Sequence, residues 1–263
     1  MLEVTDLIGS AGGRRILGPV STVFSPGLLH VIVGPNGSGK STFMKAFSGD
    51  LAPESGSVRY DGRPLSGLDK IDVSRRRAVM SQLPELQFPL SVSEIVLMGR
   101  YPHFTFRPGP ADMLICKAAM ERLSVTALSD RDYLTLSAGE RQRVQFARAL
   151  AQIWEAPATG NRYLFLDEPV SSLDIHYQHQ FLRIARSLLQ ENIVLIAILH
   201  DLNLALQYAD RMLFLKEGRI VAEGPTPGIV TASLVREVFD INAHVMENPY
   251  GRTPVIVFGQ DGH

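Results

Sequence analysis

The stretch Gly34-Pro35-Asn36-Gly37-Ser38-Gly39-Lys40-Ser41 spells G-x-x-x-x-G-K-[ST]. It lies between an apolar run, Leu28–Val33, and a helix-like segment, Ser41–Ser48, that Gly49 is placed to stop. That order restricts the fold more than any other feature. A buried strand must deliver the loop to a helix start, where backbone N–H groups and the helix dipole meet an anion. Glycines let the backbone turn inward with no Cβ in the way. Lys40 supplies a point charge for β- and γ-phosphates, Ser41 a hydroxyl for Mg2+, and Thr42 continues the nucleotide-binding set. The motif indicates nucleotide phosphates but no particular enzyme class.

The 263-residue chain is 45% hydrophobic and 20% charged, with a formal net charge of -1. It can bury a sizeable core, and it lacks the basic excess of a nucleic-acid binder, so no nucleic-acid partner is expected. Arg75-Arg76-Arg77 reads as a solvated face. The one cysteine, Cys116, allows no disulfide within the chain. The start, MLEVTDLIGS, has no basic region followed by an apolar run, so no secretory signal is expected. Apolar stretches such as Ile193–Leu199 are far short of the roughly 20 residues a spanning helix needs. Any action at a membrane would therefore go through a partner.

Short strands are expected in LEVTDL, STVFSPG and LLHVIV, with turns at Gly12-Gly13 and Pro26-Gly27. SGSVRYDGRPL reads as a hairpin. Residues 91–155 read as mostly helical, broken at TFRPGPAD. Tyr163–Leu166 and Ile193–Leu199 read as buried strands. Met212–Leu215 and Arg219–Glu223 flank a turn at Glu217-Gly218. A helix from Thr231 precedes a last strand, TPVIVF. Strands alternating with helices imply a layered α/β core.

Tyr163-Leu164-Phe165-Leu166-Asp167-Glu168 is four apolar residues followed by two acids. A buried strand would carry the acids to the carboxyl edge of a sheet, where α/β proteins bind ligands. Asp167 is placed for Mg2+ and Glu168 to orient or activate a water. The plainer alternative is that the acids cap a helix.

Leu136-Ser137-Ala138-Gly139-Glu140 followed by RQRVQFARALA resembles the signature motif and helix of ATP-binding cassette (ABC) ATPases; Ala138 stands where a second glycine is usual. Gln82 in MSQLPEL is similar to the Q-loop glutamine, Ser171-Ser172-Leu173-Asp174 to the D-loop, and His200 to the switch histidine. The resemblance covers nearly the whole chain. It implies one cassette over 1–263: an α/β P-loop NTPase (ABC ATPase) core with an N-terminal antiparallel β subdomain, an inserted helical subdomain at about 86–153, and a C-terminal segment at about 226–263. It also implies ATP and Mg2+ as cofactors. Glu168, His200 and Gln82 would be catalytic; Ser41, Gln82 and Asp167 would hold Mg2+; Asp174 would act in the D-loop. Ser137, Ala138, Gly139 and Glu140 would complete the site of a second copy, since a capped helix start is an anion site.

Ser91–His103 (SVSEIVLMGRYPH) is similar to the partner-contacting region of importers for ferric siderophores, haem and cobalamin. The insertion Trp154–Arg162 (WEAPATGNR) and the C-terminal VFDINAHVMENPYGRTPVIV resemble the haem-importing subgroup. These likenesses imply two transmembrane permease subunits as partners. They imply a periplasmic haem-binding protein acting indirectly, and a place on the cytoplasmic face of a bacterial inner membrane. Siderophore or cobalamin cargo is the near alternative, and a non-transport ABC ATPase or a P-loop kinase the further ones. His176 and His179 read as polar residues on an exposed helix face. No aromatic stands at residues 7–11, where the family commonly stacks one on adenine, so weaker adenine selection is expected.

Overall fold

The computed structural model describes residues 1–81, 89–249, 251 and 253–259. The chain divides into two compact units, Met1–Ser66 with Ile196–His263, and Gly67–Leu195.

The first unit opens with β1 (Leu2–Ala11) and β2 (Arg14–Phe24), an antiparallel pair turned by Gly12 and Gly13 at φ 59° and 76°. Both strands run further than the sequence suggests. Gly18-Pro19 inside β2 breaks the local strand signal, and Pro is tolerated in a sheet mainly at edges and bulges. The register slips between Leu7 and Gly9, opposite that dipeptide. Next come β3 (Leu29–Val33), α1 (Lys40–Ser48), β4 (Ser55–Tyr60) and the short β5 (Arg63–Pro64). Strands order β2-β1-β4-β5 in one antiparallel sheet. Asp61 and Gly62, at φ 51° and 76°, make the expected hairpin turn between β4 and β5. Gly49 stops α1 in the left-handed region at φ 85°, while Asp50 N–H donates to the Lys45 carbonyl at 2.9 Å. Phe24, Phe43 and Phe47 pack together, with Phe43 and Phe47 rings 5.0 Å apart edge to face. Burying each contributes about 1.5–3 kcal/mol. The buried Tyr60 hydroxyl donates to the Phe47 carbonyl at 2.8 Å, which locks α1 onto β4.

The second unit holds α2 (Lys70–Arg76), β6 (Arg77–Met80), α3 (Val92–Leu97), α4 (Pro110–Arg122), α5 (Ala138–Gln152), β7 (Arg162–Asp167) and α6 (Ile175–Ser187). β6 and β7 pair in parallel, Arg77 opposite Tyr163. The helices of 91–155 form as expected, with Pro110 at the first position of α4. A helical turn over Met98–His103 follows α3. Phe146 of α5 stacks on Phe181 of α6, ring centroids 4.5 Å apart.

At β8 (Ile193–Ile198), buried throughout, the chain passes back into the first unit. There it adds α7 (Leu202–Tyr208), β9 (Arg211–Lys216), β10 (Arg219–Pro225), α8 (Thr226–Ile229), α9 (Ala232–Phe239), β11 (Ala243–Met246) and β12 (Val255–Phe258). β9 pairs in parallel with β3 and antiparallel with β10 through the Glu217-Gly218 turn. β11 was not legible as a strand; it forms by pairing with β12.

Candidate functional site

β3 is buried at all five positions, as a strand covered on both faces must be. It ends in a loop that only glycine can close. A Cβ on Gly34 would lie 2.0 Å from the Leu215 carbonyl oxygen of β9 and 2.9 Å from Ser38 Oγ. Gly37 and Gly39 take left-handed φ of 76° and 100°. A Cβ on Gly39 would meet Leu17 Cδ2 at 3.0 Å. The loop is also pinned from outside its own sequence. Gly218 N–H donates to the Ser38 carbonyl at 2.9 Å, and the Gly218 carbonyl accepts from Gly18 N–H at 2.9 Å. A Cβ on Gly218 would lie 2.0 Å from the Ile16 carbonyl oxygen. These backbone contacts make the loop a rigid cradle, and local sequence gives no sign of them.

The polar groups around the cradle suit an anion. Gly39 heads α1 and offers the helix start no side-chain cap, the kind of helix start that suits an anion. The buried Lys40 folds back, its Nζ donating to the Gly34 and Pro35 carbonyls at 2.8 and 2.9 Å. Ser38 Oγ is buried and has no hydrogen-bond partner among the described residues. A buried hydroxyl without a partner costs about 1–3 kcal/mol, which a phosphate oxygen would offset. Ser41 and Thr42 are partly buried on the first turn of α1. Nucleotide phosphates fit this set.

His200 belongs to the same unit. It is exposed and follows Leu199, whose N–H donates to the Ile32 carbonyl of β3 at 3.3 Å. That bond sets His200 at the end of β3 from which the cradle springs. Asp201 then caps α7, accepting from Asn203 and Leu204 amides at 2.8 and 3.0 Å.

In the second unit, β7 delivers Asp167 and Glu168, both partly buried, behind three fully buried residues, Leu164–Leu166. Glu168 takes a left-handed φ of 51°, uncommon for a residue with a side chain and worth about 1–3 kcal/mol of strain. Its carbonyl accepts from Ser171 N–H and Oγ at 3.4 and 3.1 Å. Asp174 caps α6 by accepting from Tyr177 N–H. Ser137 opens α5 in a capping box. Its Oγ accepts from Glu140 N–H at 3.3 Å, while its own N–H and Oγ donate to the Glu140 carboxylate at 2.8 and 2.9 Å. The Ser137 backbone bond, then its hydroxyl bond, hold the Glu140 carboxyl below the usual range. Gly139 faces the D-loop, where an added Cβ would meet Leu173 Cδ2 at 3.4 Å. Ser137 and Ala138 are exposed. Thus one unit gathers the cradle and His200. The other gathers the acid pair, the signature residues and Asp174. Gln82 lies outside the described residues.

Residues 17–171 match the family profile described as ABC transporter. The Hemin import ATP-binding protein HmuV of Hahella chejuensis is 42% identical over 93% of this chain and 94% of its own. That of Methylobacillus flagellatus is 41% identical over 97% and 95%. A solved ABC transporter in an inward-facing conformation, assigned to the metal-chelate type, superposes with a TM-score of 0.82 at 25% identity, covering 98% of this chain and 96% of that one. The chain belongs to the ABC transporter family, as an ATP-binding subunit whose ATPase is coupled to transport.

Proposed function

We propose that the chain powers haem import as one of two identical ATPase subunits beneath a pair of transmembrane permease subunits. Cassettes of this family work as dimers with transmembrane partners, and no helix among the described residues is long and apolar enough to cross a membrane. The cytoplasmic face of a bacterial inner membrane is the corresponding place for it. A periplasmic haem-binding protein would act only through the permease. The observation that carries the cargo is the likeness, over nearly the whole length, to chains named for hemin import.

In this reading Gly34–Thr42 hold the ATP phosphates, with Lys40 turning from its two carbonyls toward the β- and γ-oxygens. Ser41, Asp167 and Gln82 would hold Mg2+, which supplies charge neutralisation at the phosphates. Glu168 orients a water in line with the γ-phosphorus, and His200 and Gln82 steady it. The water oxygen bonds to phosphorus as the bond to the β-phosphate bridging oxygen breaks, and its proton passes to Glu168 or the departing phosphate. Ser137–Glu140 of the second copy cover the γ-phosphate, and Asp174 stands at that same seam.

The test is reconstitution with the cognate permease in liposomes. Haem should stimulate ATP hydrolysis and enter the vesicles. Ferric siderophore or cobalamin entering in its place would overturn the cargo. Glu168→Gln should still bind ATP and hold a closed dimer in size-exclusion chromatography; normal turnover by that variant would remove Glu168 from its role.

A further inference from the structure

Two stretches singled out in the sequence, MGRYPH and the insertion Trp154–Arg162, meet in the second unit. Arg100 is buried, its side chain 3% exposed. Its guanidinium donates from Nε to Asp112 of α4 at 2.9 Å, from Nη1 to the Ala151 carbonyl of α5 at 2.9 Å, and from Nη2 to Glu155 of the insertion at 2.7 Å. Burial alone pushes the Asp112 carboxyl up. The Gly109 amide and Arg100 outweigh it and hold the group below the ordinary range. A His103 ring nitrogen is hydrogen-bonded to the Gln152 carbonyl at 2.8 Å. Gly99 lies so close to α5 that a Cβ would sit 2.2 Å from the Arg148 carbonyl oxygen. The insertion is fixed at its base by Arg162, which donates to the Ile153 and Trp154 carbonyls at 2.9 and 2.8 Å.

The segment thus joined faces outward. Tyr101 is 58% exposed and Phe106, just beyond it, 94%. α5 runs from here to the signature residues, roughly 22 Å away at 1.5 Å per residue. The Gln152 amide also donates to the Ser74 and Arg77 carbonyls, so the same helix end is tied to the start of β6, the strand that leads toward Gln82.

We propose that Arg100, gripped by Asp112 and Glu155, is a positioning residue that makes Met98–His103 and α5 move as one body. A load on this outward segment is then delivered to Ser137–Glu140 at the far end of the helix. The insertion's part is to bring Glu155 to that grip. Three directional bonds from one planar fork resist rotation where one bond would not. Which partner applies the load rests on the permease reading above.

The experiment uses the full chain, alone and with its permease in liposomes. Glu155 is 56% exposed, so Glu155→Ala should fold. Its basal ATPase and thermal midpoint should match wild type, while permease-stimulated ATPase falls roughly threefold to tenfold, the range of a coupling element. Glu155→Gln, which keeps an acceptor for Nη2, should recover part of the stimulation, and Arg100→Lys should fall with Glu155→Ala. In the isolated chain, amide exchange at 99–103 should quicken in Glu155→Ala. Stimulation equal to wild type, or a basal rate and midpoint that fall in step with it, would overturn the proposal. A wild-type chain that the permease fails to stimulate would overturn the transport reading, and this one with it.

Discussion

Two helix starts, those of α1 and α5, are finished in opposite ways. At α1 the cap is Gly39, which offers no side chain, beside a buried Ser38 hydroxyl with no partner among the described residues and a Lys40 ammonium held by two loop carbonyls. At α5 the cap is Ser137, already engaged three ways with Glu140. The first has the shape of a phosphate cradle. The second is satisfied within its own chain, so on the function proposed above its serine would have to loosen to serve a phosphate held by the other copy. The difference between them is that the serine-capped start engages its hydroxyl within its own chain, whereas the glycine-capped start has no side chain to engage.

The severest way to break this contrast is Gly34→Ala. A methyl cannot sit 2.0 Å from a carbonyl oxygen, so β3 or β9 must move. The cost should be about 3 kcal/mol, read as a drop in thermal midpoint together with loss of nucleotide binding; an unshifted midpoint would show the cradle to be soft. Next, Lys40→Ala should weaken ATP binding roughly tenfold to a hundredfold by titration calorimetry, the worth of one or two charge-assisted hydrogen bonds. The other helix start should respond differently. Ser137→Ala should cost about 1 kcal/mol of stability as a lost cap and leave ATP affinity of the isolated chain unchanged, while hydrolysis by the dimer falls. A fall in the isolated chain's affinity would mean that the two starts act in one subunit. The smallest effect concerns the base. A side chain at Gly9 would meet Leu17 Cδ1 at 3.0 Å, and the Ser10 hydroxyl is bonded to Glu54. With no ring there to stack on adenine, ATP should be preferred to GTP by no more than about fivefold in competition binding, since a stacked base is worth about 1–3 kcal/mol.

What the sequence disclosed is local. Strand β3, helix α1 with its Gly49 stop, and the apolar run before Asp167 each announce themselves through periodicity and punctuation within a dozen residues, and each formed within a residue or two of its expected limits. β1 and β2 extend beyond their local signal because Gly18-Pro19 interrupts a strand whose bulge absorbs it. Strand β11 carries no strong pattern and exists by pairing. The supports of the site were not legible at all. Gly218 beneath Ser38, Leu17 beside Gly39, and Glu155 against Arg100 join residues 22 to 180 positions apart, and no rule of local spacing encodes them. Nor does composition mark Glu168 for its left-handed backbone; a following proline says only that the chain turns.

The hold of Gly218 on Ser38 sets an order of events during synthesis. The phosphate loop leaves the ribosome early, yet the turn that braces it is encoded some 180 residues later. A nascent chain halted before β9 therefore carries the whole motif in letters but lacks the backbone brace beneath Ser38. The loop reaches its braced form only when most of the molecule has been made.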